Sequence, residues 1–247
     1  MTLCPACSHV IADPAAVACP ACGTSQGRPA PSPAPVFPGL VRPKLPLSVD
    51  LAITVDRTAS SLQFQDGIPV VMESVLRGIE PLVTGMRVFL YTHGDLDEKQ
   101  DTVLMTDGGS PDQALADLKQ IRYEGGGDPK ESHLDAIEHV AEGILRNATP
   151  GASRTALLAI MTADSKPCRS GRSASELGEW IRKQGIRLYT VCEPTPTLYQ
   201  LVKSAGGLMF AISVTPNRSD FQIIAAQLTA SITQPAPGGK TIPMRTQ

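Results

Sequence analysis

Aromatic residues are scarce, at 4% of the 247 residues with a single tryptophan, so the interior has to be filled mainly by Leu, Ile, Val, Ala and Met. That is an ordinary filling for an α/β sheet covered on both faces. An excess of charge is also missing: 22 basic residues stand against 24 acidic ones, for a formal net charge of -2. This balance argues against a membrane-surface binder and against nucleic-acid binding through bulk phosphate attraction, although a local patch stays open. No apolar run approaches the roughly 18 residues of a membrane-spanning helix. The N-terminus carries cysteines where a signal peptide would have its apolar segment, so a cytoplasmic protein is expected. There is no P-loop, no paired catalytic carboxylate signature and no Ser-His-Asp order, so no enzymatic activity is expected.

What is present begins with Leu47 to Ser61, L-S-V-D-L-A-I-T-V-D-R-T-A-S-S. Val49, Leu51, Ala52, Ile53 and Val55 make a short apolar run suited to a buried parallel strand. Asp56, Thr58 and Ser60 alternate just beyond it, so one carboxylate and two hydroxyls can point the same way. Those are hard oxygen donors, suited to Mg²⁺, Mn²⁺ or Ca²⁺ rather than to zinc. The competing reading is that they cap a loop and the next helix.

Two later stretches add to this set. Tyr123 to His139 reads Y-E-G-G-G-D-P-K-E-S-H-L-D-A-I-E-H, in which Asp128, Pro129 and Glu131 have the spacing of an N-cap, a first-turn proline and a capping-box glutamate. Asp128 therefore either binds an ion or caps the helix, in which case a hydroxyl such as that of Ser132, or water, completes the shell. Thr155 to Thr162 is a second apolar strand, followed by Asp164 at its carboxyl end.

The pattern D-x-[ST]-x-S over Asp56, Thr58 and Ser60, with the G-G-G-D-P-x-E loop and the strand-ending Asp164, resembles the metal-ion-dependent adhesion site of von Willebrand factor type A domains. The resemblance implies a divalent ion held by Asp56, Thr58 and Ser60, by Asp128 of the second loop and by Asp164 of the third. Integrin-like members carry threonine in the second loop, so Asp128 is a departure that would make the ion less dependent on a partner's acidic group. Cytoplasmic bacterial members that accompany kinases, phosphatases or ATPases, including those linked to tellurite resistance, look closest in style.

The N-terminus holds two C-P-A-C knuckles, Cys4 with Cys7 and Cys19 with Cys22. Four thiolates at this spacing suit tetrahedral Zn²⁺ and are similar to bacterial zinc ribbons, whereas paired disulfides are disfavoured inside cells. His9 is read as a solvated bystander. About 25 residues bury too little apolar surface to fold unaided, so zinc binding and folding should be one event. Residues 1–26 thus form a ribbon, 27–46 a proline-rich, extended linker, 47–233 the type A domain, and 234–247 a flexible tail.

Between Leu47 and Ile232 strands alternate with helices. This predicts a doubly wound, mostly parallel sheet with helices on both faces, a Rossmann-like α/β fold, with ligands at the carboxyl ends of the strands. Met86 to Thr92 and Thr102 to Met105 read as an edge hairpin. His93, Asp95 and Asp97 in its turn read as solvated, and His133 and His139 as surface or packing residues. Cys168 and Cys192 read as reduced thiols that could approach one another. The expected function is a non-enzymatic interaction module: the domain docks a protein through its divalent-metal surface, and the ribbon supplies a second contact. A metal-assisted phosphoryl hydrolase using Asp56 and Asp164 is the rival enzyme, and a ribbon that binds nucleic acid is a third reading.

Overall fold

The structure, a computed structural model, describes residues 2–3, 10–11, 45–127, 129–147, 153–212 and 218–233. The four predicted zinc ligands, His9, Asp128, nearly all of the linker and the tail lie outside the described residues. The chain divides into two units, Met1–Arg42 and Pro43–Gln247. In the first, Thr2–Leu3 pairs antiparallel with Val10–Ile11.

The second unit is built on a six-stranded sheet. Its elements, in chain order, are β1 (Leu45–Asp56), α1 (Gly67–Ile79), β2 (Val83–His93), β3 (Val103–Gly109), α2 (Pro111–Leu118), β4 (Lys130–Glu131), α3 (His133–Asn147), β5 (Ser153–Ile160), β6 (Asp164–Ser165), α4 (Ala174–Lys183), β7 (Arg187–Cys192), α5 (Pro196–Ala205), β8 (Leu208–Ala211) and α6 (Arg218–Thr233). The sheet order is β8-β7-β5-β1-β2-β3. Every neighbouring pair is parallel except the edge hairpin of β2 and β3, as the sequence predicts.

Strand alternation divides the interior into two cores. Val49, Leu51, Ile53 and Val55 of β1 face one side, where α1 brings Val71, Met72 and Val75, and α6 brings Leu228 and Ile232. Ala52 faces the other side, with Leu157 and Ala159 of β5 and with α3, α4 and α5. Because both faces are covered, β1 must be apolar at nearly every position, which is why its sequence reads as a continuous run rather than an alternation.

One glycine fixes how two of those helices meet. A Cβ on Gly178 of α4 would stand 2.3 Å from the Leu201 carbonyl oxygen and 2.9 Å from the Ala205 nitrogen, both backbone atoms of α5. Gly178→Ala should therefore cost about 1–3 kcal/mol through overpacking, even though alanine in a helix interior is intrinsically favoured by about 1 kcal/mol. Urea unfolding checks the sign, and an unchanged or raised midpoint would contradict the close approach.

Pro129 and Glu131 do not open the helix as their capping-box spacing predicts. Lys130–Glu131 instead pairs in parallel with Asp164–Ser165, and the Glu131 carbonyl accepts from the Lys166 N–H at 2.8 Å. The helix begins at His133, with the Ser132 carbonyl accepting from the Ala136 N–H at 3.1 Å. The capping-box spacing is outweighed here by a strand bridge that recovers the backbone hydrogen bonds of both loops.

Candidate metal centre

The register Val55 with Ile160 puts the carboxyl ends of β1 and β5 side by side. The chain leaves β1 for β2 on one flank, while β5 lies on the other, so this is the point where strand order switches and α/β sheets gather ligands. Asp56 ends β1 and is buried. Its Oδ1 accepts from the Thr58 N–H at 2.9 Å and the Thr58 hydroxyl at 2.7 Å. Its Oδ2 accepts from the Thr162 N–H at 3.2 Å and the Thr162 hydroxyl at 2.8 Å. One carboxylate thus ties the first loop to the third.

Proton counting fixes what faces outward. The single hydroxyl protons of Thr58 and Thr162 are spent on Asp56, so both oxygens turn lone pairs toward Ser60. Ser60 Oγ lies 2.9 Å from Thr58 Oγ1 and 2.7 Å from Thr162 Oγ1, and its own single proton serves only one of them. The result is three hydroxyl oxygens held over a buried carboxylate, with Ser60 exposed to solvent. The edges of an octahedral oxygen shell with 2.0–2.1 Å bonds are about 3.0 Å, close to these spacings, so the donor set suits a hard divalent cation.

Asp164 is engaged away from this cluster. Asp164 lies two residues past Thr162, with Ala163 between them in the left-handed region at φ 62°. Its carboxylate accepts from the Thr195 hydroxyl at 2.6 Å and the Thr197 hydroxyl at 3.4 Å, and pairs with Lys130 Nζ at 3.1 Å. Thr162, which the sequence reading passed over as the end of a strand, is the third-loop residue at the cluster. The Ser132 hydroxyl is likewise committed elsewhere, donating to Asp95 Oδ1 at 2.8 Å and accepting from the Leu96 N–H at 3.1 Å.

Glu131, which its spacing marks only as a capping-box glutamate, is instead drawn into the interior. Only 1% of it is exposed, and its Oε2 is buried without a hydrogen-bond partner. Burial and the neighbouring Asp56 and Asp95 charges push its carboxyl up to about 7. Its Oε1 and the Thr58 side chain both crowd the same face of Gly126, where a Cβ would stand 2.9 Å from the former and 2.7 Å from the Thr58 Cβ. Gly126, at φ 80°, therefore has to be glycine on two counts. The glycine loop is held in place by Glu98, which accepts from the Gly126 and Gly127 N–H groups at 2.8 Å each, and by the Ala59 N–H donating to the Gly125 carbonyl at 2.9 Å.

Beneath this surface run two histidines. The Thr162 carbonyl can only accept, so His133 Nε2 carries its proton toward it, and His133 Nδ1 then accepts from His93 Nε2–H at 3.0 Å. His93 Nδ1 in turn accepts from the Thr54 hydroxyl at 2.8 Å. Both rings are buried, which corrects the solvated reading of the hairpin turn, and so is Asp95, paired with Lys166 Nζ at 2.6 Å. Asp97 is exposed as expected. Burial pushes His93 down to about 3, with the His133 ring adding to the effect. Burial also opposes ionisation of Asp56, but the His133 and His93 rings and the Thr58 donors outweigh it and hold that carboxyl below the usual range.

Cys168 and Cys192 are both free and buried. The Cys168 thiol lies 3.1 Å from Glu138 Oε2 and 3.5 Å from Asp135 Oδ1, and burial pushes it up to about 11. Burial raises Cys192 to about 12. Neither is an activated nucleophile.

No family model matches the chain, and no curated protein matches it. Among solved structures, the VWA domain of SpRpn10 superposes with a TM-score of 0.53 at 12% identity, covering 73% of this chain and 95% of that one. The fold is von Willebrand type A-like. At that identity the likeness extends to the architecture, and the adhesion-like loops rest on the residues described above. Among the described residues no helix is long and apolar enough to cross a membrane.

Proposed function

We propose that this chain is a cytoplasmic, non-enzymatic protein-interaction module that docks a protein partner through the loop surface around Ser60, organised by a divalent cation. The observation that supports it is the cluster of Thr58, Ser60 and Thr162 hydroxyls at the strand ends, gathered over the buried Asp56 carboxylate with Ser60 exposed. A bound Mg²⁺, Mn²⁺ or Ca²⁺ would supply the positive charge that balances the carboxylates beneath. Asp56 then acts from behind, orienting both threonine hydroxyls, while Thr58, Ser60 and Thr162 present oxygens. The type A-like fold suits such a role, because interaction modules of this architecture use the same end of the sheet. In the resemblance the partner is a kinase, phosphatase or ATPase. A zinc ribbon on Cys4, Cys7, Cys19 and Cys22 would add a second, tethered contact and raise avidity through effective concentration.

The test is capture from cell extract with wild-type and Ser60→Ala baits in Mg²⁺. Ser60→Ala removes an exposed hydroxyl without touching the Asp56 tie, and unlike a chelator it leaves the cysteine knuckles alone. A partner should be retained by wild type and reduced at least about tenfold by the variant, a loss of about 1.4 kcal/mol. Equal recovery by both baits would rule out docking through this surface.

A further inference from the structure

One oxygen of the buried Glu131 carboxylate, Oε2, has no hydrogen-bond partner, although the buried aspartates around it among the described residues are fully engaged. Asp56 accepts four hydrogen bonds. Asp95 is held by Lys166, Ser132 and the Asp97 N–H. Lys130, next to Glu131 in sequence, is turned to Asp164. Leaving a buried carboxylate oxygen unpaired is costly, and proteins resolve it by pairing the group, by protonating it or by binding a cation. The Glu131 side chain is also locked in place: its backbone is clamped by the bridge to Ser165 and Lys166, and Gly126 leaves room for its Oε1 beside Thr58.

We infer that Glu131 is the anionic ligand of the cation held at Thr58, Ser60 and Thr162, so that the chain fills from within a coordination position that a partner's carboxylate would otherwise take. This rests on the metal-centre reading above and deepens it. Its consequence concerns the partner. With hydroxyls on one side, Glu131 on another and Asp56 behind, the cation is neutralised by this chain, and its pull on an acidic group from outside is weakened. The partner is then selected by the shape of the loops around Ser60, and an acidic residue at its centre is unnecessary. A flanking position supports this, because Glu98 adds exposed negative charge on the neighbouring turn.

The experiment uses the full chain at pH 8 with Mn²⁺ as probe, comparing wild type, Glu131→Gln and Ser60→Ala. Glutamine keeps the shape and removes the charge. If Glu131 is a ligand, Glu131→Gln should raise the metal-free melting temperature by about 2–4 °C by removing the unpaired charge. It should also weaken Mn²⁺ binding by about 100-fold, the upper end of what loss of a supporting group costs. Water-proton relaxation should report one more water on the bound Mn²⁺ in Glu131→Gln than in wild type, a change that a through-space effect of charge would not produce. Mn²⁺ binding that is lost in Ser60→Ala but keeps its affinity and water count in Glu131→Gln would overturn the role of Glu131 and leave the metal centre standing. Absence of Mn²⁺ binding by wild type would overturn both.

Discussion

Asp56→Ala is expected to destabilise the domain by about 3–5 kcal/mol with no metal present, the range for removing one member of a buried charged network. The reason lies in the four donors that converge on it. The N–H and hydroxyl of Thr58, and the N–H and hydroxyl of Thr162, would all lose their acceptor in a region closed to water. Each unsatisfied buried donor costs about 1–3 kcal/mol. The two hydroxyls recover part of this by turning to Ser60 and Ser61, both already within 3.1 Å of Thr162 Oγ1. Urea unfolding in the presence of a chelator measures the effect, and a loss below about 1 kcal/mol would mean that Asp56 does not tie the two loops. Asparagine is no remedy, because its amide group would point donors at donors. Asp56 variants thus report stability together with metal binding, which makes Ser60→Ala and Glu131→Gln the cleaner functional probes.

Acidification is expected to destabilise the domain through His93. Burial makes folded His93 bind its proton far more weakly than the unfolded chain does, where the ordinary value is 6.5. Below that pH the unfolded state takes up more protons than the folded one, so the stability contributed by neutral His93 is present above pH 6.5. It is lost as the pH falls toward the folded value of about 3. The slope is about 1.4 kcal/mol per pH unit for one fully linked group. Geometry gives the same sign, since a proton added at His93 Nδ1 forces the Thr54 hydroxyl to give up its donated bond. Asp56 acts in the same direction at lower pH, because its depressed carboxyl loses its contribution as the pH falls below 3.8. His93→Gln offers a carbonyl to Thr54 and an N–H to His133 without titrating. It should flatten the pH 6.5 to 4 portion of the stability curve, and an unchanged slope would remove His93 as its source.

Much of the fold was legible in the residues. Continuous apolar runs marked β1 and β5 as central strands, and the alternation of strands with helices marked the doubly wound, mostly parallel sheet. The polar turn between β2 and β3 revealed the edge hairpin. The proximity of Asp56, Thr58 and Ser60 was legible because three residues on one short loop encode it themselves.

What the sequence could not determine is which loops would turn which atoms toward that point. Asp164 and Thr162 are two residues apart, and the left-handed backbone at Ala163 sends the hydroxyl to Asp56 and the carboxylate to Thr195 and Lys130. Glu131 carries a helix-capping spacing, yet the parallel bridge to Ser165 draws it into the interior instead. His93 and His133 lie 40 positions apart, and nothing local tells either that the other will complete its hydrogen bond. Local composition determined the strands, the helices and the hydroxyl loop, because those depend on periodicity and short-range capping. The pairing of distant strand ends decided that the Thr162 hydroxyl would meet Asp56 and that Glu131 would be buried, because only the assembled sheet sets which groups lose their water together.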